Sequence, residues 1–166
     1  MSTPEQHSGT IVLQPGEGKT VSVLGDQYTY KAVGEQTGGA YGLVVTTAPP
    51  GSSGPPPHLH RTEDEALYVL EGELTLMIGD RTRIAPAGSF AFIPRGAVHA
   101  FSNPGSDVAK ALVIISPAGF EQAFQEFSQI PPRGDGSPDV ERLVATAEKY
   151  HCQIIGPPPD ATEAAR

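Results

Sequence analysis

Between Gly72 and Pro104 no more than seven residues separate one glycine or proline from the next. A chain interrupted this often cannot sustain helices of ordinary length, because both residues break them. What remains between the breaks is a series of short apolar segments of strand length. Glu65–Leu70 reads as a strand with Glu65, Leu67 and Val69 on one face, and Glu73–Ile78 returns after the Glu71-Gly72 turn. Gly79-Asp80 is a two-residue hairpin signal ahead of Arg81–Ile84. Phe90–Ile93, Val98–Ser102 and Ala111–Ile115 follow, and Thr10–Gln14, Thr20–Leu24, Gln27–Val33 and Ala40–Thr47 are candidates upstream. Strands spaced about 8–12 residues apart with Gly/Pro turns predict an all-β sandwich or barrel.

The end of the chain changes period. Phe120, Ala123, Phe124 and Phe127 fall at i, i+3, i+4, i+7, which predicts a helix with an aromatic face. Val140, Leu143, Val144 and Ala147 repeat the spacing, with Ser137 as N-cap and Pro138 at the first helical position. The expected organisation is a disordered tail over 1–9, a β-domain over 10–116, a helical extension over 117–155 packing on it, and a flexible tail over 156–166.

Composition narrows the classes of function. The chain has 166 residues, enough for one domain with a core. Its net charge is −8, and its 11 Lys and Arg form no basic run, which argues against nucleic acid or an anionic membrane surface as partner. The single cysteine, Cys152, cannot form an internal disulfide, and no stretch reads as a signal peptide or a membrane span. A cytoplasmic protein is expected.

Ligand-type residues concentrate at His58-Leu-His-Arg-Thr-Glu-Asp-Glu65. His58 and His60 leave the same face of a strand, and a polar turn through residues 61–64 brings Glu65 to the start of the next. Two imidazoles and a carboxylate converging from neighbouring strands make a metal-site pattern. The competing reading of Glu65 is a solvated carboxylate in the run Glu63-Asp64-Glu65. The stiff segment Ala48–Pro57 reads as a loop over this site. His7 has no partner in its tail, His151 suits a helix end, and Cys152 reads as a small buried hydrophobe.

A second stretch, Gly88 to Asn103, carries Gly88, Pro94, Gly96, His99 and Asn103, with His99 and Phe101 on one strand face. Together with His58, His60, Glu65 and Gly72 this resembles the two motifs of the cupin superfamily. The first motif usually opens with a glycine, where this chain has Ser52. The resemblance implies a jelly-roll β-barrel (a double-stranded β-helix), followed here by the two C-terminal α-helices. It also implies that His58, His60, Glu65 and His99 hold one divalent metal ion. Such a donor set suits Fe, Ni, Cu, Mn, Co or Zn.

Among cupins the chain is similar to small single-domain bacterial proteins related to quercetin 2,3-dioxygenases. That implies a flat hydroxylated aromatic or enol substrate, O2 as co-substrate, and Glu65 as the catalytic base. The alternatives are a metal-dependent isomerase, cyclase or decarboxylase without O2 chemistry, or a non-catalytic small-molecule-binding module. The expected substrate pocket comprises Leu67 and Val69 beside Glu65, Phe101 beside His99, and Met77, Phe90 and Phe92. The resemblance further implies a homodimer, with strands from residues 10–33 adding to a neighbour's sheet.

Overall fold

Alternation of buried and exposed side chains organises the architecture. In the computed structural model, which describes residues 9–157, two antiparallel sheets face each other. One sheet contains β1 (Thr20–Val23), β2 (Asp26–Ala32), β3 (Gly42–Ala48), β5 (Asp64–Glu71), β8 (Phe90–Ile93) and β10 (Ala109–Ser116), in the order β1-β2-β3-β10-β5-β8. The other contains β4 (His58–His60), β6 (Glu73–Ile78), β7 (Arg81–Pro86), β9 (His99–Ser102) and β11 (Cys152–Ile154), in the order β11-β4-β9-β6-β7. This is the cupin-type jelly roll. Residues 1–8 of the expected 1–9 tail, His7 among them, and residues 158–166 lie outside the described residues.

β3 shows why these segments are strands. Val44, Thr46 and Ala48 are buried while Leu43, Val45 and Thr47 between them are half-buried on the other face. Val113 of β10 stands opposite both Val44 and Leu67, so the inner face of the large sheet is a continuous aliphatic layer. Leu74, Leu76 and Phe101 close it from the small sheet. Each such side chain contributes about 1.5–3 kcal/mol when fully withdrawn from water. Gly72, at the β5–β6 turn, has φ +68°, and a Cβ there would lie 2.4 Å from the Val108 carbonyl oxygen.

Three short helices complete the described chain: α1 (Gly34–Thr37), α2 (Glu121–Ser128) and α3 (Val140–Lys149). α2 lies on the barrel, where Phe124 stacks on Tyr28 of β2 with ring centroids 4.1 Å apart. Its first residue, Glu121, is fully buried and accepts hydrogen bonds from the backbone N–H groups of Gly34 (2.8 Å) and Gly119 (2.6 Å). That carboxylate joins the α1 turn to the helix. No helix among the described residues is long and apolar enough to cross a membrane.

Two local expectations are corrected, and one strand was not foreseen. Thr10–Gln14 forms no strand, because its side chains are all exposed and no neighbouring strand meets it between Gly9 and Pro15. The cap of α3 is Asp139, which accepts from the Arg142 N–H at 3.2 Å, whereas the Ser137 hydroxyl donates to Asp135 at 2.6 Å. The segment after α3 does not stay outside the barrel. Its strand β11 pairs with β4, setting Cys152 opposite His60 and Ile154 opposite His58.

Candidate metal centre

β4 carries His58 and His60, both buried on the same face, while Leu59 between them is only half-buried. β4 runs between β11 and β9, and His58 is the cross-strand neighbour of His99. The turn from β4 into β5 is pinned from outside. Asp64 accepts from the Arg95 side chain at 3.0 and 3.1 Å and from the Arg95 backbone N–H at 2.9 Å, which fixes how β5 begins. The Arg95 guanidinium and N–H hold the half-buried Asp64 carboxyl down at about 2. Glu65, the next residue, is 7% exposed, so the solvated reading of this carboxylate does not hold.

One donor atom from each of His58, His60, Glu65 and His99 lies within 4.8 Å of the others. Glu65 Oε2 is 3.1 Å from His60 Nε2 and 3.5 Å from His99 Nε2. The imidazoles are oriented by backbone. His58 Nδ1 lies 2.8 Å from the Pro56 carbonyl and His99 Nδ1 lies 3.0 Å from the Ala97 carbonyl. A carbonyl only accepts, so in each ring Nδ1 carries the proton and Nε2 keeps its lone pair.

The site contains buried polar atoms with nothing to satisfy them. His60 Nδ1, His60 Nε2 and His99 Nε2 have no hydrogen-bond partner. His60 Nε2 is close to Glu65 but lacks hydrogen-bond geometry. Each orphaned group costs about 1–3 kcal/mol. A divalent cation among the four donors would satisfy the inward-facing nitrogens and the carboxylate together, so the residues present fit a metal ion.

Electrostatics favour a neutral His58 and an ionised Glu65, while His99 is drawn towards its charged form by the carboxylate beside it. Burial, with His99 and His60 adjacent, pushes His58 down to about 3, which keeps it a neutral donor. Burial works against ionisation of Glu65, yet the imidazoles of His99 and His60 hold its carboxyl well below the ordinary value. For His99 burial is likewise opposed, and the Glu65 carboxylate raises it.

A pocket opens onto this cluster, reaching His58 and Glu65 at one end. Its walls are largely apolar: Tyr28, Phe101, Phe120, Phe124 and Phe127, with Pro55 and Pro56 of the proline-rich loop at its rim. Of the residues expected to line it, Phe101 does. Leu67 and Val69 are buried in the barrel core and do not reach the pocket. Met77 is half-buried on the strand face opposite Leu74 and Leu76 and also lies outside the lining. Phe90 and Phe92 are corrected outright, being 65% and 58% exposed. Register explains this. Phe92 is paired with Ala66 and Phe90 with Tyr68, on the outer face of β5, while Ala91 and Ile93 share the inner face with Leu67 and Glu65. Three of the five aromatics instead come from α2 and its N-cap, Phe120. Its i, i+3, i+4, i+7 spacing was visible in the sequence, but the spacing alone did not say that this face covers the barrel mouth.

A jelly-roll barrel with three histidines and a glutamate at its interior end defines a class of metal-site β-proteins, and comparison with known proteins names the family. Residues 44–115 match the Cupin domain family. The chain is 37% identical over 62 residues to an uncharacterized protein of Aquifex aeolicus (strain VF5), covering 37% of this chain and 50% of that one. It is 30% identical over 116 residues to the quercetin 2,3-dioxygenase of Bacillus subtilis (strain 168), covering 69% of this chain and 33% of that one. The chain thus spans half or less of the length of these curated relatives. The structure of KdgF from Halomonas sp. superposes with a TM-score of 0.60 at 18% identity, over 68% of this chain and 98% of that one, a likeness of fold. The chain belongs to the cupin superfamily.

Proposed function

We propose that this protein is a mononuclear metal-dependent dioxygenase that cleaves a flat hydroxylated aromatic or enol substrate with O2. The observation that carries this reading is the position of four buried donors, within 4.8 Å of one another, at the end of an aromatic-walled pocket. Similarity to the Bacillus subtilis quercetin 2,3-dioxygenase supports the substrate class. His58, His60, His99 and Glu65 would hold the ion, which when bound supplies an electrophilic centre that acidifies a coordinated hydroxyl and an open position for O2.

The chain's own groups do the rest. Phe101, Phe120 and Phe124 receive a planar ring and exclude water from it. Glu65 takes the proton from the substrate hydroxyl, for which its low carboxyl pKa keeps it ionised. The Pro56 and Ala97 carbonyls hold His58 and His99 in the tautomer that leaves Nε2 free throughout. The substrate's electron-rich anion is oxidised and one of its C–C bonds is broken as O2 is incorporated.

Elemental analysis tests the first half of this reading and oxygen uptake the second. Purified untagged protein is expected to carry near-stoichiometric Fe, Ni, Cu, Mn or Co, lost in the His58→Ala/His99→Ala double variant. With that metal, flavonols are expected to drive O2 consumption. Turnover without O2 consumption would move the assignment to an isomerase, cyclase or decarboxylase, and ligand binding without turnover would leave a binding module.

The working unit in this reading is a homodimer. β1 and β2 pair within the chain's own sheet, and β1, at its edge, keeps one side open for a neighbour's strand. The outer face of β5, β8 and β10 is better suited, because exposed Phe90, Phe92, Tyr68 and Ile114 form adjacent rows there.

A further inference from the structure

Two polar side chains interrupt the pocket wall away from the four-donor cluster. Asp26 and Thr46 are each 2% exposed, and both line the pocket that reaches His58 and Glu65. They are diagonal neighbours on the inner face of the large sheet, since Tyr28 pairs with Thr46 and Asp26 lies two residues before Tyr28. Thr46 Oγ1 has no hydrogen-bond partner. Asp26 Oδ1 accepts from Ser52 Oγ at 2.5 Å, and that hydroxyl in turn accepts from the Gly54 N–H at 3.1 Å.

A purely structural wall would not be built this way. An unpaired buried hydroxyl costs about 1–3 kcal/mol, and a buried carboxylate costs more. Valine at either position would fill similar space without the penalty. Ser52 is also the residue that stands where the first cupin motif usually has glycine, so the hydroxyl anchoring Asp26 lies outside that motif. Ser52 is fixed in place by its bridge to Asn103, whose side-chain N–H groups donate to the carbonyls of Ala48, Pro49 and Asp107. Burial pushes the Asp26 carboxyl above its ordinary value, with the Ser52 hydrogen bond opposing. That is the signature of a polar group held in an apolar site.

We propose that Asp26 and Thr46 form a polar subsite that binds a second hydroxyl of the substrate, remote from the hydroxyl presented to His58 and Glu65. The substrate hydroxyl donates to the Asp26 carboxylate and accepts from the Thr46 hydroxyl, which leaves neither unpaired. Recognition of this kind discriminates, because a ligand lacking the hydroxyl leaves Thr46 buried and unsatisfied and the Asp26 carboxylate with the Ser52 hydroxyl as its side-chain partner. The ligand is therefore a flat aromatic with polar groups at two ends. This rests on the substrate class proposed above.

The test is an anaerobic binding titration on metal-reconstituted full-length protein, with quercetin and with 3-hydroxyflavone, which shares the hydroxy-keto end and lacks the other ring hydroxyls. Wild-type protein is expected to bind quercetin about tenfold more tightly, a difference of about 1.4 kcal/mol. Thr46→Val, nearly isosteric, and Asp26→Asn are each expected to narrow that ratio several-fold, chiefly by weakening quercetin binding. Ser52→Gly reports on the same subsite if Asp26→Asn fails to fold. A ratio unaltered in the variants, no ratio in the wild type, or no binding of either compound overturns the proposal. Binding with the expected ratio but no O2 uptake overturns the dioxygenase reading alone.

Discussion

The Phe120 ring packs edge-on against His60, with centroids 4.3 Å apart and planes at 76°. One contact thus joins the C-terminal helical segment to the centre of the barrel. Phe120 is 5% exposed and also touches Phe124 and Phe127, so it anchors the whole aromatic face of α2. Truncation to alanine would leave a cavity beside a donor that already lacks hydrogen-bond partners. Phe120→Ala is expected to lower stability by about 3–5 kcal/mol. It is also expected to reduce the metal retained through purification. Urea denaturation and elemental analysis on the same preparation check both, and a variant with full metal content would show that His60 is held independently of α2.

Asp26 makes an opposite prediction about stability. Its folded-state pKa is raised by burial, so as pH rises the unfolded chain releases this proton first, from about pH 4 upward. The folded state then binds more protons than the unfolded one, and stability falls with pH until the raised value is passed. The loss persists at neutral pH. No opposite charge compensates Asp26, since its hydrogen-bond partner is the Ser52 hydroxyl and the adjacent Tyr28 is neutral there. Asp26→Asn should therefore be more stable than wild type at pH 7 and indistinguishable near pH 3. Denaturant midpoints at the two pH values measure this, and equal or lower stability at pH 7 would contradict it.

How much of this was legible beforehand depended on how locally each feature is encoded. His58, His60 and Glu65 could be read from spacing, because strand period and turn placement set which face each occupies, whereas His99, far along the chain, was joined to them only by the resemblance of its motif. Phe90 and Phe92 could not, because Phe-Ala-Phe-Ile alternates equally well in either phase and only the pairing with β5 chooses one. β11 was hidden for another reason. Three residues after a helix carry no period, and their strand conformation comes from β4, more than ninety residues earlier in the chain. The polar subsite joins Asp26, Thr46 and Ser52 from three separate segments, with no motif to mark it.

Close packing around Glu121 predicts a sharp intolerance at Gly42. A Cβ on Gly42 would stand 2.5 Å from Glu121 Cδ, and that carboxylate is already committed to the N–H groups of Gly34 and Gly119. The side chain is fully buried and has nowhere to retreat. Gly42→Ala should cost about 1–3 kcal/mol through overpacking. Thermal unfolding measures it, and a neutral result would mean that α1 and α2 shift together at no cost.

The outer face of the large sheet supplies the last test, that of assembly. Phe90 and Phe92 point away from the core and sit beside Tyr68, which is 45% exposed, and Ile114, which is 36% exposed. Exposed aromatic side chains in adjacent rows are costly for a monomer and typical of a surface that meets a partner. The chain's net charge of −8 opposes self-association, so a dimer must bury this apolar face to form. Light scattering should return the mass of two chains for the wild type. Because neither aromatic contributes to the core, Phe90→Asp/Phe92→Asp should return the mass of one chain with its metal content intact. A monomeric wild type would remove the dimer from the proposed function, and a variant still dimeric would place the interface elsewhere.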